Sequence, residues 1–224
     1  MDAWARLERE VTTCRACPRL VAWREAVAEE KVARFREWDY WGRPVPGFGD
    51  RRAHLLIVGL APAAHGANRT GRVFTGDRSG DFLFASLWRT GYANQPTSVY
   101  DGDGLELTGC FITAAVKCAP PANKPTPAER DTCKPFLDRE LDLLGDVRAI
   151  VALGQFGWDA VVRHFGVRPK PRFSHGAEVA LPGGRTLVGS YHVSQQNTFT
   201  GVLTDAMLDA VFARARELGE ATPG

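Results

Sequence analysis

Leu55-Leu56-Ile57-Val58-Gly59 is an unbroken apolar run entered from the polar Asp50-Arg51-Arg52. A strand without polar alternation has both faces buried, which is what a parallel sheet covered by helices requires. Three further runs have the same character: Cys110 to Val116, Val147 to Leu153 and Thr186 to Tyr191. The segments between them read as helices, so the expected fold class is α/β. Specifically, a three-layer α/β/α sandwich is expected around a central four-stranded parallel sheet with right-handed crossovers. In such a sheet all carboxyl strand ends lie on one edge, where open α/β folds bind ligands. Segments 59–77, 117–124, 154–158 and 192–201 should therefore converge, making neighbours of His192, Asp77, Asn68, Asn123 and Asn197.

Helical spacing of Trp4, Leu7 and Val11 marks a first helix, and a second is expected from Arg19 to about Trp38. Asp81 to Trp88 reads as a third. Thr126-Pro127-Ala128-Glu129 combines an N-cap, a first-turn proline and a capping-box glutamate, predicting a helix to about Leu144. A short helix from Gln155 to about Phe165 and a last one from Val202 to Leu218 follow, with room for a hairpin between Gly166 and Gly184. One domain is expected over residues 1–224, with a helical segment at 1–50 tied in by cysteines. No apolar run approaches the ~18–20 residues of a membrane span, and the first residues lack a signal-peptide core. The expectation is a cytoplasmic protein with no membrane partner. A net charge of +2 neither demands nor excludes nucleic acid.

Five cysteines in such a chain argue against a disulfide framework. Cys14 and Cys17 form a C-x-x-C, while Cys118 and Cys133 flank a proline-rich loop far downstream. Four thiolates in two groups can close around a zinc ion or an iron–sulfur cluster. Cys110, inside an apolar strand, reads as core.

The loop after Gly59 carries Gly66, Gly71 and Gly76, yet it fits neither the nucleotide-triphosphate loop nor the Rossmann fingerprint. No serine stands in a nucleophile elbow, so covalent catalysis is not indicated. What converges is an aromatic ring (Phe74), two amides (Asn123, Asn197), an imidazole (His192), one carboxylate (Asp77) and backbone amides. That set suits a planar ligand such as a nucleobase, stacked on a ring and read along its polar edge.

Together the motifs resemble the uracil-DNA glycosylase superfamily, and specifically its family 5 branch. Gly59-Leu60-Ala61-Pro62-Ala63 resembles that branch's first motif and Gly71-Arg72-Val73-Phe74-Thr75-Gly76 its stacking segment. Lys117-Cys118-Ala119-Pro120-Pro121-x-Asn123-Lys124 resembles the middle motif, and His192-x-Ser194-x-x-Asn197-x-x-x-Gly201 the last. Family 4 carries Glu in place of Leu60 and Asn in place of Ala114, and both departures fit family 5. The resemblance implies a 4Fe-4S cluster on Cys14, Cys17, Cys118 and Cys133, whereas spacing alone leaves zinc as a competitor.

The implied reaction is hydrolysis of an N-glycosidic bond in double-stranded DNA by a monomer. A flipped base would stack on Phe74 and bond to the Gly59–Ala61 backbone and Asn123, with His192 donating to its O2. Asp77, directly after the stacking segment and the only carboxylate in the converging set, is the candidate for orienting water and stabilising the sugar cation. Asp77 reads equally as the N-cap of the helix beginning near Ser79. Arg69, Arg72, Lys117 and Lys124 are expected to face phosphates, and Gln195, Gln196, Asn197 and Thr198 to form a loop entering the duplex. Two other classes compete: a redox protein whose cluster transfers electrons, and a zinc-stapled nucleic-acid-binding module without glycosylase activity.

Overall fold

The computed structural model describes residues 2–220. Helices α1 (Ala3–Thr12) and α2 (Pro18–Glu30) come first, then strands β1 (Phe48–Gly49) and β2 (Leu55–Gly59). The short α3 (Ala67–Thr70) and α4 (Arg78–Arg89) lead to β3 (Cys110–Ala114), α5 (Pro127–Leu143), β4 (Ala149–Leu153) and α6 (Gln155–His164). Strands β5 (Glu178–Leu181) and β6 (Arg185–Ser190) form a hairpin, followed by α7 (Gln195–Phe199) and α8 (Asp205–Glu220).

The sheet order is β1-β3-β2-β4-β6-β5. Its parallel centre, β3-β2-β4-β6, is built from the four apolar runs, with Leu55 opposite both Cys110 and Ala149. The sheet nevertheless has six strands, because β1 and β5 add antiparallel edges. Neither edge strand carries an apolar run. β1 has two residues, and β5 has one buried position out of four.

Alternation along the strands divides the core. Leu55 and Ile57 point to the face covered by Leu83, Phe84 and Leu87 of α4 and Leu208, Val211 and Phe212 of α8. Leu56 and Val58 point to the opposite face, covered by Leu137 and Leu141 of α5 and Trp158 and Val161 of α6. Side chains cap two helix starts, the second of them the capping box read from the sequence. Asp2 accepts the N–H of Ala5, and Thr126 and Glu129 close a full capping box on α5.

The second helix stops at Glu30 rather than near Trp38. Lys31 adopts φ 54°, the chain turns through a short 3₁₀ segment at Ala33–Phe35, and the aromatics beyond pack over the central loop. A third, smaller apolar cluster joins Leu20, Val116, Cys118 and Cys133, with Cys17 and Ala61 against it. No helix among the described residues is long and apolar enough to cross a membrane.

Candidate active site

Four separate chain segments meet over the carboxyl end of the sheet around a cavity of about 490 Å³. The β2 end supplies Leu60, Ala61, Pro62 and Ala63, and the loop into α4 supplies Val73, Phe74 and Asp77. The end of β3 supplies Ala114, and the segments after β3 and β6 supply Asn123, His192, Ser194, Gln195 and Gln196. Such a volume lies within the ~300–1,000 Å³ usual for small-ligand sites.

The ring centroids of Phe74 and His192 are 6.3 Å apart and tilted by 42°, so the two aromatics face one shared space. Gly59 lets the Phe74 ring settle on the strand end, since a Cβ there would lie 2.7 Å from Phe74 Cζ. Phe74, Ala122 and Asn123 all have positive φ, at 52°, 52° and 55°. Left-handed backbone at non-glycine residues costs of order 1–3 kcal/mol each and gathers where function fixes a side chain. Three of the four such residues described here border this cavity or its loop.

Asp77 serves as the N-cap of α4, accepting the Gly80 N–H at 3.0 Å through Oδ1. A Cβ at position 66 would fall 2.0 Å from its Oδ2, so Gly66 makes room for the second oxygen. Burial pushes this carboxyl above its ordinary value, and the neighbouring Asp81 adds to the rise. The N–H groups of Gly80 and Ser79 and the charge of Arg69 oppose it. Capping and a place in the cavity wall therefore coexist on one side chain.

His192 follows β6 and is backed by Gly154, whose missing Cβ would sit 3.2 Å from the His192 Cβ. Segment 154–158 thus lies behind the imidazole rather than lining the cavity. Burial alone holds His192 below its ordinary pKa, which keeps the ring neutral at neutral pH. A neutral imidazole can donate one N–H to an acceptor. Asn197 Nδ2 binds the His192 carbonyl at 2.8 Å and Ser194 caps α7, so this loop is stiff.

Several expected DNA contacts are corrected by burial. Arg69 is 3% exposed, bonded to the carbonyls of His65 and Gly76. Arg72 is 4% exposed and paired with Asp103 at 2.8 Å, with Ser98 and Thr75 also accepting. Lys117 is 1% exposed and paired with Glu140 at 2.7 Å. All three charged groups are buried and spent on partners within the protein. Asn68 is wholly buried and bonded to the Arg24 carbonyl, away from the cavity. Asn197 Nδ2 is bonded to the His192 carbonyl and the Thr198 hydroxyl donates to the Ser194 carbonyl, so both half-buried side chains also bind their own loop.

Lys124, Gln195 and Gln196 are exposed. Two residues absent from the motif reading join them. Phe199 is 69% exposed at the end of α7, and the Arg78 guanidinium lies 5.9 Å from its ring centroid. Arg78 directly follows Asp77, a proximity that could have been read from the sequence.

The four cysteines Cys14, Cys17, Cys118 and Cys133 line one cavity between α2 and α5. Among the described residues no three His, Cys, Asp or Glu side chains are drawn into a metal-holding group. Burial pushes the Cys118 thiol up to about 11 and the Cys133 thiol up to about 12. Donors are nonetheless aimed at sulfur: Arg24 Nη1 lies 2.9 Å from Cys118 Sγ, and the Lys117 N–H lies 3.2 Å from Cys133 Sγ. Such donors suit thiolates carrying net negative charge.

A family profile described as the uracil DNA glycosylase superfamily matches residues 46–216. Over 95% of its length the chain is 58% identical to a type-5 uracil-DNA glycosylase of Mycobacterium leprae (strain TN), covering 94% of that protein. It is 54% identical to a type-5 uracil-DNA glycosylase of Thermus thermophilus, over 93% of this chain and 94% of the relative. A type-4 uracil-DNA glycosylase of Sulfurisphaera tokodaii is 30% identical over 69% of this chain and 56% of its own length.

Proposed function

The chain belongs to the uracil-DNA glycosylase superfamily, on its type-5 branch, and from that premise we propose that it hydrolyses the N-glycosidic bond of uracil in DNA. The observation that carries this reading is the meeting of Phe74, Asp77, Asn123 and His192 around one cavity of about 490 Å³. An everted base stacks on Phe74 while Asn123 and the backbone of residues 59–61 read its polar edge. Water adds to C1′ as the bond from C1′ to the base nitrogen breaks, and the electron pair leaves with the base. His192, neutral and free to donate, stabilises the charge gathering on the base O2, a contribution of about 2.7–4 kcal/mol in comparable oxyanion sites. The Asp77 carboxylate orients the water and balances the positive sugar. An abasic site remains.

Leu60 and Ala114 both line the cavity, at the two positions where the family 4 resemblance would have put Glu and Asn. Apolar side chains there leave a wider, less discriminating slot. On this reading hypoxanthine, xanthine and ethenocytosine are substrates beside uracil. Duplexes carrying each base, incubated with the protein and then cleaved with alkali, test it. Strand breaks at uracil and at one or more of the others are expected, and intact strands for every lesion would remove the enzyme reading.

We also assign a 4Fe-4S cluster to Cys14, Cys17, Cys118 and Cys133. The four sulfurs share one cavity, and Arg24 and the Lys117 N–H are placed to neutralise thiolate charge. When bound, the cluster supplies a covalent tie between the amino-terminal helices, the end of β3 and α5. Iron and sulfide analysis of the purified protein tests this, and zinc without sulfide would reassign the site.

A further inference from the structure

Arg69 is buried, and its surroundings are built around it. Nε donates to the His65 carbonyl and Nη2 to the Gly76 carbonyl, each at 2.8 Å, so one guanidinium closes the loop running from β2 to Asp77. The guanidinium carbon lies 3.8 Å from the ring centroid of Phe35 and 4.1 Å from that of Trp38. Its third nitrogen, Nη1, is buried without a hydrogen-bond partner. The same short segment braces the rest of the loop. Tyr40 pairs with His65 Nδ1 at 3.1 Å, the Trp41 N–H binds the Arg69 carbonyl at 2.9 Å, and the Gly42 N–H binds the Asn68 carbonyl at 3.0 Å. Phe35, Trp38, Tyr40, Trp41 and Gly42 all precede residue 46, where the match to the superfamily profile begins.

A buried cation with an unsatisfied nitrogen is costly, and aromatic faces compensate only in part. What the arrangement secures is the residue next to Gly76. We propose that Arg69 is the positioning residue for the Asp77 carboxylate, and that residues 35–42 form a brace holding Arg69 in place. This rests on the role given to Asp77 above. The charged and titratable groups around the pair are Asp81 on α4, His192 across the cavity, and Arg34, Tyr40 and His65 beside Arg69. Burial raises the Asp77 carboxyl most, the N–H groups of Gly80 and Ser79 oppose that rise, and the Arg69 charge adds to their opposition. The brace therefore holds the backbone at Gly76 from which Asp77 projects, and the charge it keeps in place favours the ionised carboxylate.

Carboxyl-labelled aspartate followed by NMR, with Asp77→Asn to assign the signal, reads the titration without reference to activity. Single-turnover excision of uracil against pH reads the rate. In Arg69→Met the Asp77 midpoint is expected to move to higher pH, the acid limb of the rate to move with it, and the rate to fall about a hundredfold, as for other small misplacements of catalytic groups. Arg69→Lys keeps the charge but not the fork, so its midpoint stays near that of the wild type while its rate falls. Trp38→Leu, which leaves Arg69 in place with one ring fewer, is expected to shift both readouts less and in the same direction. It carries the test should Arg69→Met not fold. A folded Arg69→Met or Trp38→Leu protein with wild-type titration and wild-type rate overturns the proposal. If the wild type excises nothing while the midpoint still moves in Arg69→Met, the glycosylase reading falls and the positioning role stands.

Discussion

Asp77 gives the Gly80 N–H one oxygen and turns the other toward Gly66, so its cap and its charge can be separated by substitution. Asparagine caps about as well as aspartate. Asp77→Asn is therefore expected to melt with the wild type while single-turnover excision falls at least ~100-fold, as for loss of a general base. Asp77→Ala should lose about 1 kcal/mol of stability as well. Equal rates for Asn and Asp would leave the residue a cap. Since Asp77 is raised and His192 lowered, the acid limb of the pH–rate profile is expected above the ordinary carboxylate value of ~3.9. No limb belonging to His192 is expected at its ordinary ~6.5, because the ring is still neutral there. For stability the signs differ. The His192 contribution is present above the unfolded value and lost as pH falls through the depressed folded one, whereas that of Asp77 is lost as pH rises through its raised folded value. Chemical denaturation of the wild type and the Asp77→Asn and His192→Ala variants across this range checks both. At this scale the sequence was legible where chemistry is rare, at a lone strand-end imidazole or a carboxylate among glycines. It misled at Arg69, Arg72 and Lys117. A cation reads as exposed, and the partners that bury these three lie far away in the chain, at Phe35 and Trp38, at Asp103 and at Glu140.

Among the elements, α5 shows how a local signal reaches the site. Its capping glutamate, Glu129, also accepts two bonds from Arg19 of α2, so the start of α5 and the helix following the C-x-x-C are fastened together. Thr126→Ala is expected to cost about 1 kcal/mol, seen as a lowered melting temperature. An unchanged melting temperature would show that Arg19 alone holds the helix start. The capping box was legible because every residue of it is close in sequence, and the four central strands because burial on both faces removes polar residues from them. The edges were not. Two residues of β1 carry no period, and β5 alternates too weakly to be separated from the turn that closes its hairpin. The early end of α2 escaped notice for a related reason. Phe35 and Trp38 continue an apolar stripe, but they are spent on the central loop.

At the scale of the whole molecule, the segment before residue 46 acts twice on the same edge of the sheet. It contributes two cysteines to the cavity shared with Cys118 and Cys133, and aromatic rings to the loop that ends at Asp77. With the cluster assigned to those cysteines, Cys133→Ser is expected to lower both the iron content and the melting temperature. Retention of both would detach the amino-terminal helices from any metal. The convergence of the strand ends was legible because it follows from parallel topology alone. The cluster cavity was legible only as a set of residue types, since nothing in the spacing says how closely the sulfurs approach. The proposed activity depends on one cavity holding an everted base. The most direct test is a crystal structure of the Asp77→Asn protein bound to a duplex containing a single uracil. The uracil ring is expected to be turned out of the helix and laid against Phe74, with a His192 ring nitrogen within hydrogen-bond distance of its O2. A uracil still stacked in the duplex, or seated away from Phe74 and His192, would contradict it.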